Sequence, residues 1–148
     1  MYSFTSDIID VTKYVPFPEK FVAHLDNFAG YSNYETSFQQ LLDQAPISAR
    51  TTLIIVGDCR DYQGSWRQKS PDKYGQRIGP HSGKLMEKLV IRSHEVIVMN
   101  PEEQSKWGIG DSAVHDYELA GATVKFATSP LHLAEQLQSV SVDGDSSR

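Results

Sequence analysis

The sequence is poor in cysteine, because Cys59 is the single one in 148 residues. One cysteine cannot form an internal disulfide or build a cysteine-rich zinc site. Scarce thiols favour a reducing compartment. The first residues contain neither the basic segment nor the apolar segment of a signal peptide, so we expect a cytoplasmic location.

Excess positive charge and long apolar runs are absent as well. The formal net charge is −5, whereas nonspecific nucleic-acid binding requires clustered Lys and Arg, so no nucleic-acid partner is expected. No apolar run approaches the roughly 18 residues of a membrane span, and none is predicted. The length and the 39% of hydrophobic residues suit one globular domain.

Short apolar runs alternate with helical patterns along the chain. Residues 2–5 and 8–12 predict two strands of a hairpin. Continuous apolar runs at residues 53–56 and 96–99 predict strands that are buried on both faces, and residues 123–127 predict a third strand. The sequence therefore predicts an α/β fold of the doubly wound, Rossmann-like type: a mostly parallel sheet with helices on both faces.

The helices are predicted from the spacing of apolar residues and from breakers. The first predicted helix begins near residue 19 and ends before Gly30, and the second contains Phe38 and ends before Pro46. Three further helices are predicted at residues 84–92, 111–119 and 131–137. Residues 60–83 are predicted to be a long loop, and the small, polar residues 139–148 a disordered tail. Residues 1–138 then form the domain.

In a doubly wound fold, ligands bind beyond the carboxyl ends of the strands. Asp58 lies there, one residue after Gly57, which allows a sharp turn. Its carboxylate could bind a hard cation such as Mg²⁺ together with a nearby hydroxyl, or it could cap the turn that follows. Ser32, at the start of a helix, is either the N-cap or a metal-facing hydroxyl.

Three further features have competing interpretations. The glycine-rich turn at residues 107–112 either cradles a phosphate or holds a packed tryptophan, and its G-x-G-x-x-G pattern is incomplete. Asp111 or Ser112 is expected to cap the helix that follows, and Asp111 with His115 would be a catalytic pair if they face each other. Cys59 is expected to be a buried, inert thiol.

Three separated segments then resemble one known family in the same order. They are T-T-L-I-I-V-G-D-C-R-D-Y at residues 51–62, V-I-V-M-N-P-E at 96–102 and W-G-I-G-D-S at 107–112. The segments F-T-S-D at residues 4–7 and G-Y-S-N-Y at 30–34 fit as well. Together, over about residues 1–138, they resemble the CoxE-like branch of von Willebrand factor type A domains.

The resemblance implies a Rossmann-like fold and a metal-ion-dependent adhesion site. In this family the site combines a D-x-S-x-S turn, a Thr or Ser in a second loop and an Asp in a third loop. Ser32 matches the second-loop hydroxyl and Asp58 the third-loop aspartate. The implied function is Mg²⁺-dependent protein binding without turnover, beside a MoxR-type AAA+ ATPase that helps a metalloenzyme client to mature.

The most serious departure from the family is that the sequence contains no D-x-S-x-S motif and no first strand to carry it. The segment C-R-D-Y at residues 59–62 is also one residue shorter than the family's, and the loop at residues 63–83 is longer than expected. We therefore expect a truncated domain, the C-terminal part of a longer protein, with an incomplete metal site that binds Mg²⁺ weakly. The alternative is an enzyme, a small α/β hydrolase or phosphate-binding protein that uses Asp58 with the turn at residues 107–112.

Overall fold

The computed structural model describes residues 1–4, 7–14, 33–61 and 81–129, together with His132 and Glu135. The helix predicted near residues 19–29, most of the predicted long loop and the tail at residues 139–148 lie outside these residues. Most of the helix predicted at residues 131–137 lies outside them too.

The strands form two separate sheets in the described part of the chain. Strands β1 (Tyr2–Phe4) and β2 (Ile8–Asp10) form the predicted antiparallel hairpin, with Tyr2 opposite Asp10. Strands β3 (Thr52–Val56), β4 (Glu95–Asn100) and β5 (Thr123–Phe126) form a parallel sheet in that order. The three predicted apolar strands are therefore confirmed, and they are parallel neighbours.

Each parallel connection carries a helix, as parallel strands require a crossover. Helix α2 (His81–Arg92) joins β3 to β4, and helix α3 (Val114–Leu119) joins β4 to β5. Helix α1 (Tyr34–Gln44) precedes β3, and short 3₁₀ helices lie at Thr12–Tyr14 and Gln104–Lys106. No described helix is long and apolar enough to cross a bilayer.

Two helix starts differ from the predictions. Helix α2 begins at His81 instead of Lys84, so it includes Gly83. A Cβ atom at position 83 would lie 3.3 Å from the Cβ of Asp116, so glycine permits α2 to pack closely on α3. Helix α3 begins at Val114, and its N-cap residue Ala113 offers no side-chain cap. The predicted caps Asp111 and Ser112 were therefore wrong.

Helix α1 begins one residue after Asn33. The Asn33 side chain accepts a hydrogen bond from the backbone N–H of Thr36 at 3.0 Å, so Asn33 is the N-cap. This contact satisfies one of the free N–H groups at the helix start. The interpretation of Ser32 as the cap is wrong, whereas its role as a metal-facing hydroxyl stays a prediction, since Ser32 lies outside the described residues.

The main core lies between one face of the parallel sheet and the three helices. Its centre is an aromatic group in which the Phe38 ring lies 5.6 Å from that of Tyr34 and 5.7 Å from that of Tyr117. Aromatic pairs at these distances add to the stabilisation that burial gives. The core also contains the following aliphatic and sulfur-containing side chains: Leu42, Ile55, Leu85, Met86, Leu89, Val96, Val98 and Val114.

Strand β4 is buried on both faces, as predicted, and β3 is not. All four side chains from Val96 to Met99 are at most 1% exposed, whereas Ile54 and Val56 in β3 are 44% and 51% exposed. The difference follows from the strand order, because β4 has a neighbour on each side. Strand β3 pairs with β4 alone among the described strands, so the prediction of two covered faces was wrong for β3.

We expect the edge of β3 that no described strand covers to promote self-association. Strand β3 has no charged residue and no proline to discourage pairing with another chain. Substitution Ile54→Lys should weaken self-association about tenfold, since it places a charge on the strand. Sedimentation velocity across a concentration series measures the effect. The control is Ile91→Lys, which adds the same charge on the exposed face of α2. A wild-type protein that stays monomeric throughout would contradict the prediction.

Candidate binding site at the carboxyl end of the sheet

Asp58 lies at the carboxyl end of β3, as the sequence predicts. Strand β3 ends at Val56, and the N–H of Gly57 still donates to the carbonyl of Met99 in β4 at 3.1 Å. The chain then leaves the sheet, and the Asp58 side chain is exposed. This places one carboxylate at the edge where ligands bind in such sheets.

The Asp58 carboxylate caps its own turn. Its Oδ1 atom accepts a hydrogen bond from the backbone N–H of Arg60 at 3.0 Å and another from the Tyr34 hydroxyl at 3.2 Å. An aspartate that bonds to the backbone two residues later forms an Asx turn. The interpretation of Asp58 as the cap of the turn that follows it is therefore confirmed for Oδ1. No described residue donates to Oδ2, so that oxygen is available to a ligand.

The Tyr34 hydroxyl links the start of α1 to the Asp58 turn. It donates to Asp58 Oδ1 and accepts a hydrogen bond from the backbone N–H of Cys59 at 3.0 Å. Burial, followed by the nearby Cys59 and Asp58, raises the pKa of Tyr34 far above its ordinary value, so the hydroxyl remains a neutral donor. Sequence reasoning missed this contact, because a tyrosine at a helix start has no local signal for a partner 24 residues away.

Cys59 turns the chain back into the core. Its φ of 57° lies in the left-handed region, which a residue with a side chain rarely adopts. The thiol is fully buried, and burial, with a further contribution from Asp58, raises its pKa to about 12. The prediction of a buried, inert thiol is confirmed, since a thiol with this pKa is protonated at neutral pH.

The buried side chain of Asn100 joins the ends of β3 and β4. Its Nδ2 atom donates to the carbonyl of Asp58 at 3.2 Å, and its Oδ1 atom accepts from the backbone N–H of Glu102 at 2.8 Å. The Asn100 carbonyl accepts from the N–H of Ala127, which follows β5, at 2.9 Å. Asn100 therefore holds three strand ends together, a role that sequence reasoning missed.

Arg60 connects the Asp58 turn to the two loops beside it. Its guanidinium contacts both carboxylate oxygens of Glu102 at 2.6 Å, Asp111 Oδ1 at 2.8 Å and the carbonyl of Ile109 at 2.8 Å. Hydrogen bonds to Glu102 and then to Asp111 raise the pKa of Arg60. A guanidinium fork that meets two carboxylates restrains the chain more than a single point charge would.

The predicted pair of Asp111 and His115 does not form. Asp111 bonds to Arg60, while His115 Nδ1 lies 3.2 Å from Glu118 Oε2. The pair was predicted from helical spacing, and Asp111 lies outside helix α3. The structure therefore gives no support to a catalytic pair at these positions.

Four of the six backbone N–H groups in the turn at residues 107–112 are already bonded within the protein. The N–H groups of Trp107, Gly108, Ile109 and Ser112 all donate within this region of the chain. The Trp107 indole donates to the carbonyl of Glu102 at 2.9 Å and packs against the core. The interpretation as a packed tryptophan with turns is confirmed. A phosphate cradle needs several free N–H groups, so the structure gives little support to the phosphate-binding role of this turn in the enzyme alternative.

Comparison with known proteins agrees with this geometry. The sequence model described as "VWA domain containing CoxE-like protein" matches residues 1–137. The chain belongs to this family. A CoxE-like von Willebrand factor type A domain has a Rossmann-like α/β fold, and the three parallel strands with their helices are consistent with it. No curated protein and no solved structure matches the chain.

Type A domains commonly hold a divalent metal, so we compared the described residues with the needs of Mg²⁺. A Mg²⁺ ion takes about six oxygen ligands, with water supplying several of them. In the CoxE-like domain, the described residues include no group of three or more His, Cys, Asp or Glu that could hold a metal. Asp58 offers one free carboxylate oxygen at the strand end. The described residues around Asp58 therefore do not form a metal site by themselves.

We expect Arg60→Ala to lower the free energy of unfolding by about 2 kcal/mol, because it leaves two partly buried carboxylates unpaired. Arg60→Lys should recover less than half of that loss, since an ammonium cannot reproduce the forked contacts. Urea unfolding of the three proteins measures both changes. An Arg60→Ala variant as stable as the wild type would show that the network does not restrain the fold.

The second prediction for this region concerns alkaline pH. The pKa of Cys59 is raised from an ordinary value of 9.0 to about 12 in the folded protein. The unfolded chain therefore loses the thiol proton first, and the stabilisation that exists below pH 9 is lost as the pH rises toward 12. We expect a loss of about 1.4 kcal/mol between pH 8 and pH 10.

The matched control is Cys59→Ala, which removes the titrating group and should remove this part of the pH dependence. Urea unfolding at pH 8, 9 and 10 compares the two proteins. Burial also raises the pKa of Tyr34 and Tyr117 above the ordinary value of 10.0, which adds losses of the same sign as the pH approaches 10. Both proteins share these losses, so the difference between the two proteins reports the thiol. Equal pH dependence in both proteins would contradict the assignment.

Proposed function

We propose that this CoxE-like domain is a non-enzymatic, metal-dependent protein-binding module. The observation that carries the proposal is the Asp58 carboxylate, which is exposed at the carboxyl end of the sheet and whose Oδ2 accepts no hydrogen bond from a described residue. A carboxylate fixed by Tyr34 and Arg60 is oriented before any ligand arrives, which lowers the entropic cost of binding. Membership in the type A family supports the same function.

Two observations favour binding over catalysis. The buried Cys59 thiol has a pKa of about 12 and is a poor nucleophile at neutral pH. Asp111 and His115 are bonded to different partners, so they do not form an acid–base pair. Among the described residues, the strand-end site therefore offers a ligand oxygen without an activated nucleophile beside it.

We further propose Ser32 and Asp58 as the ligands that this chain contributes to a Mg²⁺ ion. The proposal rests on their match to the family's second-loop hydroxyl and third-loop aspartate. Two protein ligands out of about six make a weak site, so the metal site of this chain is incomplete. The partner we propose is a MoxR-type AAA+ ATPase in the cytoplasm, with a metalloenzyme as the client, because CoxE-like domains are associated with these ATPases.

The test combines two measurements on the full chain. Calorimetry with Mg²⁺ alone should show a dissociation constant above about 1 mM, because too few ligands are present. Binding to a purified MoxR-type ATPase should be detectable by biolayer interferometry with Mg²⁺, and Asp58→Asn should weaken it about tenfold or more.

The matched control is Asp43→Asn, which removes the same charge from an exposed position on α1. Tight binding of Mg²⁺ that depends on Asp58 would show that the metal site is complete. Binding to the ATPase that is equally strong in wild type and Asp58→Asn would exclude Asp58 from the interface.

A further inference from the structure

Asp61 is a buried carboxylate that no described residue binds. Its side chain is 1% exposed, and neither carboxylate oxygen has a hydrogen-bond partner in the described part of the chain. The backbone is anchored, since the Asp61 N–H donates to the carbonyl of Asp111 at 3.0 Å. A buried charge without partners is strongly unfavourable, and such a group in a native fold points to a missing ion or water.

The charge of Asp61 acts on oxygen-bearing side chains of α3, one of which is bonded to α2. Tyr117 and Ser82 are fully buried, and the Tyr117 hydroxyl donates to Ser82 Oγ at 3.2 Å. Burial is the main reason why the pKa values of Tyr117 and Asp116 are raised, and the charge of Asp61 raises both further. The Asp61 backbone is bonded to Asp111, which precedes α3, and its charge is close enough to act on Tyr117 and the half-buried Asp116 in that helix.

Three segments of the chain converge at this position. Asp61 follows the turn after β3, Ser82 lies in the first turn of α2, and Asp116 lies in α3. Gly83 allows the two helices to approach closely, with 3.3 Å between an added Cβ and the Cβ of Asp116. The neighbouring cation, Arg60, is already bonded to Glu102 and Asp111.

We propose that Asp61, Asp116 and Ser82 form a second cation site, which binds a hard divalent ion with Asp61 as the principal ligand. Hard divalent ions bind carboxylate and hydroxyl oxygens, and they often retain water on the remaining positions. Asp116 is half-buried, so water can reach this ligand.

This site is separate from the strand-end carboxylate. The Asp58 side chain is exposed and bonded to Tyr34, whereas the Asp61 side chain is enclosed near α2 and α3. The site does not depend on the proposed partner or on Asp58. An ion there would connect the turn after β3 with both helices, so its expected effect is on stability.

The test uses the full chain after treatment with a chelator, and the probes are CaCl₂ and MgCl₂. At about tenfold excess over the dissociation constant, either ion should raise the melting temperature by about 3–5 °C. Asp61→Asn and Asp116→Asn should each abolish the shift. Asp43→Asn, an exposed charge change on α1, should retain it.

A second measurement uses the metal-free proteins. Asp61→Asn should melt at the same temperature as the wild type or higher, because it removes an uncompensated buried charge. If Asp61→Asn fails to fold, the test relies on Asp116→Asn, since residue 116 is half-buried. The binding of Ca²⁺ to the wild type and to this variant is then measured by competition with a fluorescent calcium indicator.

Four outcomes would overturn the proposal. The first is a melting temperature of the wild type that neither ion raises, and the second is an equal rise in Asp61→Asn. The third is an equal rise with NaCl at matched ionic strength. The fourth is a rise that Asp58→Asn removes and Asp61→Asn retains. The last outcome would assign the ion to the strand-end site and leave Asp61 to a buried water.

Discussion

The loops at the carboxyl end of the sheet depend on the guanidinium of Arg60, which lies between two carboxylates. Glu102 follows β4 and Asp111 precedes α3, so one side chain from the turn after β3 holds two other segments in place. The contact is forked and partly shielded from solvent, which makes it stronger than an exposed ion pair. The orientation of the Asp58 carboxylate and the position of Trp107 both rest on this arrangement.

The hydrogen bonds around the Asp58 turn complete the restraint from the other sides. Tyr34 approaches from α1, and Asn100 approaches from the end of β4. Each of these side chains is buried and bonds to a backbone or carboxylate atom of the turn. Buried polar groups that are fully satisfied specify one conformation, because any shift leaves a donor or an acceptor unpaired. The left-handed φ of Cys59 is maintained by the same bonds.

The sequence was sufficient to predict the elements with strong local signals. The apolar run at residues 96–99 and the hairpin at the start of the chain were predicted correctly, because periodicity and turn residues determine them locally. The location of Asp58 followed from the order of strands and helices. The exposure of Ile54 and Val56 was not predictable in this way, since a continuous apolar run looks the same in a central strand and in an edge strand.

Contacts between distant residues were the other limit. Arg60 and Glu102 are 42 positions apart, and Tyr34 and Cys59 are 25 apart. No local pattern signals such pairs, and the same is true of the close approach at Gly83 that extends α2 toward its N-terminus. The predicted caps of α3 failed for this reason, because Asp111 bonds to Arg60 and Ser112 Oγ bonds to the N–H of Gly108.

The hydroxyl of Tyr34 has a mechanical consequence for the domain. Tyr34 is the first residue of an 11-residue helix, and its hydroxyl oxygen bonds to both the carboxylate of Asp58 and the backbone of Cys59. A protein that tilts or translates α1 would therefore displace the candidate ligand oxygen without contacting it. Conversely, a ligand that draws the Asp58 carboxylate away would release the start of α1, so the helix and the strand-end site are thermodynamically linked.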